Sequence, residues 1–204
     1  LGNLPTPEPE QGEVRVKLSF SGVNPSDTKR RVGFGGQKMA YPAIVPHSDG
    51  SGVIDQVGTG VPKNRIGERV WIYCGQWERA HGTAADYISI RGNHAIPLPD
   101  NIELMSGACL GIPAVTAHRA LFSDGPIKGL TVLVTGGAGA VGNYAIQLAK
   151  WGGAERVITT CSSPEKENQA KAAGADLVIN YKEEDVSAKI MDATDGQGVD
   201  RIVE

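Results

Sequence analysis

Cysteine is scarce and scattered. The chain has three, Cys74, Cys109 and Cys161, with no C-x-x-C pair and no zinc-ligand spacing, which excludes a disulfide scaffold or a structural zinc cluster and fits a reducing compartment. No apolar run approaches the ~18 residues needed to span a bilayer. Excess positive charge is missing too: 20 Lys and Arg against 23 Asp and Glu leave a net charge of −3, so there is no electrostatic footprint for nucleic acid or an anionic membrane. The opening stretch Leu1–Gln11 is rich in proline and glutamate and has no basic n-region, so it is not expected to be a signal peptide. A cytoplasmic protein is the expectation. There is no internal repeat and no long linker. What remains is ordinary: 204 residues, 40% hydrophobic and 21% charged, enough for one large domain or two small ones. The chain opens without methionine and stops in Gly198–Glu204, which reads as a strand barely begun, so a piece of a longer protein is expected.

One stretch stands out. An apolar, β-branched run, Leu130–Val134, leads through Thr135 into Gly136-Gly137-Ala138-Gly139-Ala140-Val141-Gly142, and then into Asn143–Lys150, which reads as a helix. Gly137, Gly139 and Gly142 match G-x-G-x-x-G. The spacing has a physical logic: one glycine permits a tight strand-to-helix turn, a second lets backbone approach a pyrophosphate, and a third lets the helix lie against the strand. Unpaired N–H groups and a partial positive charge at the helix start complete an anion site. The expected cradle is therefore Gly137, Ala138, Gly139, Ala140, Val141 and Gly142.

Before this stretch the signals are those of β structure. Glu13–Phe20 alternates polar and apolar residues, as in a half-buried strand. Asn24-Pro25-Ser26-Asp27 is a turn suited to capping a short helix through Thr28–Val32, followed by a glycine-rich loop, Gly33–Gln37. Gly50–Gly58, Gly67–Tyr73, Asp86–Ile90 and His94–Pro99 are short strands at the spacing of a sandwich or small barrel. After Pro99-Asp100 the composition changes. Asn101–Leu110 and Ala114–Phe122 read as helices with Pro113 between them. Beyond the glycines, strands at Arg156–Thr160 and Asp176–Asn180 alternate with helices at Pro164–Ala173 and Val186–Ala193. This βαβαβα order predicts a doubly wound parallel sheet. The boundary is placed between 108 and 109, within the helical connection Gly107–Ala114.

This order, with Val23-Asn24-Pro25-Ser26-Asp27, His47-Ser48-Asp49-Gly50-Ser51-Gly52 and the glycine stretch, resembles the medium-chain dehydrogenase/reductase superfamily and within it the zinc-independent, ζ-crystallin-like quinone oxidoreductases. The resemblance covers nearly the whole chain. It implies an α/β protein: a GroES-like substrate domain over residues 1–108, lacking its first strand, followed by the N-terminal part of a Rossmann NADP-binding domain over 109–204. In the family these face each other across a cleft where cofactor and substrate meet, and a homodimer is usual. Zinc-dependent members place a cysteine where this chain has Asn24 and Gly-His-Glu where it has His47-Ser48-Asp49, so Ser48 falls at the ligand position and no metal is expected. His47 is expected to be a loop histidine bonded to backbone or solvent.

Cofactor choice is read at the end of the second parallel strand. An NAD site carries an acidic residue there, about 20 residues beyond the glycines. Here the run is Thr160-Cys161-Ser162-Ser163-Pro164-Glu165-Lys166, whose hydroxyls and lysine suit a 2′-phosphate. The resemblance points to Ser162, Lys166 and Tyr181 around that phosphate, and Ser163 is grouped with them. A solvated Lys166 and a packed Tyr181 are the alternatives, and Glu165 would oppose the phosphate if it pointed inward. NADP(H) is favoured over NAD(H). Asn24 and Thr116 match positions that face the nicotinamide in related reductases, with a turn-forming Asn-Pro and a back-bonded helix threonine as the other readings. Asp27 is either a supporting hydrogen-bonding group or a helix N-terminal acid. Where relatives often carry a tyrosine, this chain has Lys29. Tyr41 and Trp77 are candidate walls for a flat substrate, or packing residues.

The reading is an NADPH-dependent reductase of quinones or α,β-unsaturated carbonyls, transferring hydride without a metal. An enoyl or polyketide-type reductase on the same scaffold is the alternative within enzymes. A non-catalytic NADPH-binding structural or nucleic-acid-binding protein is the alternative outside them. No strong general acid stands out.

Overall fold

The computed structural model describes residues 2–33 and 41–204. Beyond Gly33, the expected glycine-rich loop lies outside the described residues. The chain's contacts divide it into two units, Leu1–Ile112 and Pro113–Glu204.

In the first unit, alternation decides which residues go inside. Along β1 (Glu13–Gly22), Val14 and Val16 are fully buried while Glu13, Arg15 and Lys17 face outward. β1 pairs with β2 (Asp49–Val57) and with β4 (Tyr87–Arg91); β2 pairs with β3 (Arg69–Ile72), and β3 with β5 (Ala95–Pro97). The result is a five-stranded antiparallel sheet in the order β4-β1-β2-β3-β5. Val14, Val16, Ile54, Val70, Ile72, Ile88 and Ile90 form its core, each contributing roughly 1.5–3 kcal/mol by leaving water. Between β1 and β2 lies α1 (Pro25–Arg31). It starts earlier than Thr28 because Asn24 adopts the extended N-cap conformation and Pro25 supplies a helical φ at the first position.

The helix expected over Asn101–Leu110 is one short turn, α2 (Leu104–Gly107), and α3 runs Gly111–Phe122. Pro113 does not separate two helices. It lies in the first turn of α3, where a missing N–H has no intrahelical acceptor to lose. The division at Ile112/Pro113 falls later than the boundary read from the sequence. α2 touches β1, β2 and β3, and the Ile112 N–H is bonded to Asp49, so both stay with the first unit.

The second unit is a parallel sheet built from β6 (Thr131–Val134), β7 (Arg156–Cys161), β8 (Leu177–Asn180) and β9 (Arg201–Val203). Its order is β8-β7-β6-β9, so the direction of winding reverses at β6. α4 (Ala140–Trp151), α5 (Pro164–Ala172) and α6 (Val186–Ala193) are the crossovers. Period-2 alternation gives each face a core: Val132 and Val134 meet Ala145, Ile146 and Ala149 of α4 with Ala117 and Leu121 of α3, while Leu133, Ile158 and Ile179 meet Val186 and Ile190 of α6. Ligands in such sheets bind beyond the carboxyl ends of the strands at the reversal point. The glycine turn follows β6 at that point.

Candidate functional site

The turn is held by backbone geometry and by two strand threonines. Gly136 takes φ +63°, a left-handed conformation that glycine adopts without strain. The tight-turn role thus falls on Gly136, one residue before the first glycine of the motif. Its N–H donates to the Thr160 hydroxyl, and the Gly137 N–H donates to the Thr160 carbonyl. Thr159 donates its hydroxyl to the Val134 carbonyl, and the Thr159 hydroxyl oxygen would lie 2.2 Å from any Cβ on Gly137. A Cβ on Gly142 would meet the Gly136 carbonyl oxygen at 2.4 Å. These two glycines are required by the protein's own packing. Gly139 differs: a Cβ there would meet only the Gly136 oxygen, at 3.3 Å. Gly139 is the N-cap of α4, which begins at Ala140 rather than Asn143, so the first-turn N–H groups of Ala140, Val141 and Gly142 have no intrahelical acceptors. The cradle is open where an anion would approach and closed where the strands meet.

Beside it, β7 ends without a carboxylate. Lys166 Nζ donates to the Ser162 hydroxyl at 3.1 Å, and among the described residues Lys166 makes no ion pair. The Ser163 hydroxyl caps α5 by accepting the Lys166 N–H. Tyr181 is tied in through its backbone, its N–H donating to the Cys161 carbonyl, while the ring is 54% exposed. Ser162, Ser163, Lys166 and Tyr181 therefore gather at the ends of β7 and β8. Glu165 is exposed. Thr160 joins this group to the glycine turn, a link the sequence reading missed; two adjacent hydroxyls at a buried strand end were the available signal.

The first unit holds a second polar site. Asn24 and Asp27 are both buried, and the Asn24 N–H donates to Asp27 Oδ2 at 2.8 Å. The Asn24 amide nitrogen donates to Asp49 Oδ2 at 2.8 Å. Asp49, 1% exposed, also accepts the Ile112 N–H on both carboxylate oxygens at 2.9 Å. Burial pushes the Asp49 carboxyl up, the Ile112 and Asn24 hydrogen bonds pull it down, and the Asp27 charge adds to the upward push, which prevails. Cys74 is raised as well, by burial and then by Asp49. Asp49 entered the sequence reading only as part of a degenerate metal motif; its importance comes from partners far along the chain.

Thr116 belongs to the second unit and is exposed on α3, beside Val115, Arg119 and Ala120. Of the possible aromatic walls, Tyr41 donates its hydroxyl to the Glu78 carbonyl, bracing that loop, and Trp77 is 60% exposed. Lys29 is exposed.

His47 has φ +74° and an Nδ1 atom 2.9 Å from the Ser21 hydroxyl. Thr83 donates its hydroxyl to the Asp49 carbonyl, so Ser21, 2.9 Å away, must donate to Thr83, and His47 must donate its Nδ1–H to Ser21. The tautomer is fixed by this chain, and the bond goes to a side chain rather than to backbone or solvent. Among the described residues no three His, Cys, Asp or Glu side chains converge to hold a metal ion, and no helix is long and apolar enough to cross a membrane.

Residues 10–100 match the alcohol dehydrogenase GroES-like domain, and residues 140–204 match the zinc-binding dehydrogenase family. A quinone oxidoreductase of Rattus norvegicus is 36% identical over 97% of this chain and 59% of its own length. A trans-enoyl reductase of Aspergillus terreus, tazE, is 31% identical over 98% of this chain and 70% of its own. The chain belongs to the quinone oxidoreductase-like branch of the medium-chain dehydrogenase/reductase family. Two solved structures of medium-chain proteins superpose well. An NAD-dependent alcohol dehydrogenase gives a TM-score of 0.87 at 34% identity, over 98% of this chain and 65% of that one. The Escherichia coli quinone oxidoreductase complexed with NADPH gives 0.81 at 28%, over 97% and 59%. The antiparallel unit is thus a GroES-like domain and the parallel one Rossmann-like. The chain spans about three fifths of the rat protein's length.

Proposed function

We propose that this chain carries the substrate-binding and dinucleotide-binding parts of an NADPH-dependent reductase of quinones or α,β-unsaturated carbonyls that works by hydride transfer without a metal. The observation carrying the reading is the end of β7, where Lys166 and Ser162 lie bonded beside the glycine turn in the position an NAD site gives to a carboxylate. Similar structures include an NAD-dependent alcohol dehydrogenase and a quinone oxidoreductase complexed with NADPH, and this strand end supports the second cofactor. The open side of Gly139 fits a pyrophosphate, with Ala138, Ala140, Val141 and the packing glycines Gly137 and Gly142 forming the cradle. Ser162, Ser163, Lys166 and Tyr181 would hold the 2′-phosphate. Asn24, supported by Asp27, would offer an amide to the nicotinamide, and Thr116 would offer a hydroxyl. When bound, the cofactor supplies the hydride; the protein supplies orientation and exclusion of water. The metal-free step rests on the donor set, with Asn24 and Ser48 where zinc members hold ligands. A homodimer is carried over from the family resemblance, and a cytoplasmic location from the scattered cysteines.

The trans-enoyl reductase match favours one second reading, reduction of an enoyl thioester on the same scaffold. Steady-state NADPH oxidation with 1,2-naphthoquinone and with 2-alkenals separates the possibilities. Turnover of either class is the expected result. NADPH binding with turnover of neither, and of no enoyl thioester, sinks the reductase reading in favour of a binding protein.

Cofactor choice has its own test. Charge-assisted hydrogen bonds contribute about 1.5–3 kcal/mol, so Lys166→Ala should weaken NADPH binding roughly tenfold to a hundredfold and leave NADH binding unchanged. Titration calorimetry with both cofactors measures it. Equal affinities in the parent protein contradict the NADPH assignment.

A further inference from the structure

Asp49 is nearly inaccessible, yet among the described residues no cation is a hydrogen-bond partner of its carboxylate. Its partners are one backbone N–H, that of Ile112, and one side-chain amide, that of Asn24. An ionised carboxylate only accepts hydrogen bonds. It therefore fixes which way the Asn24 amide faces: Nδ2 toward Asp49, and the oxygen on the other side. A free asparagine amide has no such preference, since its oxygen and nitrogen ends are nearly the same size. The Asn24 backbone is fixed independently, because its N–H is held by Asp27 at 2.8 Å and its carbonyl accepts the Asp27 N–H at 3.0 Å. With the backbone clamped, the remaining freedom is rotation of the amide, which Asp49 restricts at the nitrogen end while the Asp27 N–H faces the side chain in the capping box that opens α1.

We propose that Asp49 is a positioning residue that locks the polarity of the Asn24 amide, so that Asn24 presents one fixed donor and acceptor pattern to its ligand. This rests on the preceding reading, in which Asn24 orients the nicotinamide. An amide that turns over exchanges donor for acceptor, and the ligand's own amide then meets like against like. A ring held in two orientations loses the alignment on which hydride transfer depends, and misplacement of about 1 Å can cost on the order of a hundredfold in rate.

The informative variant is Asp49→Asn. It is isosteric, and its oxygen can keep the Ile112 N–H. Its nitrogen then faces Asn24, which must rotate to offer its oxygen. The fold survives while the polarity of Asn24 reverses. With NADPH and 1,2-naphthoquinone, kcat for Asp49→Asn should fall about tenfold or more, with the melting temperature no lower than the parent's. In an Asn24→Ala background the same substitution should change kcat less than twofold, because the group through which Asp49 acts is gone. A kcat within twofold of the parent overturns the proposal. So does an undiminished loss in the Asn24→Ala background, which marks a merely structural role. The Asn24 side-chain amide protons, followed by ¹H–¹⁵N correlation spectra of parent and Asp49→Asn, give an arm independent of turnover. They should shift strongly on substitution, and unchanged resonances overturn the lock even if the parent reduces neither quinones nor enals. Absence of parent turnover counts against the functional reading, whereas the amide resonances judge the lock.

Discussion

Gly139→Ala should leave the protein folded and remove most of its dinucleotide affinity, while Gly142→Ala should unfold it earlier. The two glycines belong to one motif, but their surroundings differ. At Gly142 a methyl group would sit 2.4 Å from the Gly136 carbonyl oxygen and 2.9 Å from the Gly137 Cα. Those atoms are backbone of the same turn, and Gly137 is itself wedged against Thr159 and Ile146, so nothing yields cheaply. Overpacking of this kind costs about 1–3 kcal/mol, or roughly 3–10 °C in melting temperature for a domain arrangement of this size. At Gly139 the backbone is already extended, with φ −74° and ψ 163°, which alanine adopts freely, and the one close neighbour is a carbonyl oxygen at 3.3 Å. Its melting temperature should move by about 2 °C or less. Its NADPH affinity should fall tenfold or more, at about 1.4 kcal/mol per factor of ten, because the methyl occupies the side on which a pyrophosphate would lie. Thermal melts and calorimetric titrations of both variants measure the contrast. Equal stability losses would contradict the division of roles.

The second large effect is expected at Asp49→Ala. Removing the carboxylate leaves the Ile112 N–H and the Asn24 amide without their acceptor in a site that is 1% exposed. Unsatisfied buried groups cost about 1–3 kcal/mol each, so about 3–5 kcal/mol of the first unit's stability should be lost in urea titration. Asp49→Asn should behave differently, and with a defined pH dependence. Burial raises the folded-state value of Asp49. Between the unfolded and folded values the native protein therefore binds more protons than the unfolded chain, and stability falls as pH rises through that window. The contribution is fully present below the ordinary carboxylate value and gone above the raised one. An asparagine does not titrate. The melting temperature of Asp49→Asn relative to the parent should thus be more favourable at pH 7.5 than at pH 4. A difference that stays flat, or runs the other way, contradicts the raised value.

How much of this was readable beforehand depends on the distance over which each residue finds its partners. The β6–turn–α4 unit was legible because its signals are contiguous: an apolar run, glycines at fixed offsets and a helical stretch. The strands of both sheets were legible for the same reason, since alternation is local. Pro113 misled because a proline marks a helix start as readily as a break, and only the Asp49 carboxylate waiting for the Ile112 N–H makes it a start. Asp49 itself was overlooked because its partners are 25 and 63 residues away, beyond any spacing rule. Thr159 and Thr160 look like ordinary strand residues until β7 is laid against β6. Then one hydroxyl fills the space over Gly137 and the other receives the Gly136 N–H. The His47 tautomer follows from a chain of hydroxyls on separate segments, which no single stretch of sequence reveals.

Thr160 gives the glycine turn a place in the order of assembly. The turn belongs to β6, but its first two N–H groups are satisfied only by a residue of β7, which reaches it after the whole of α4. Until that strand docks, the Gly136 and Gly137 N–H groups have no partners beyond water, and the turn is unformed even if α4 is already helical. Amide hydrogen exchange at these two glycines therefore reports the docking of a neighbouring strand rather than the firmness of the turn. The free energy that protects them is that of a larger cooperative unit spanning β6, α4 and β7. A substitution in β7, well outside the glycine motif, can thus unmake the glycine turn.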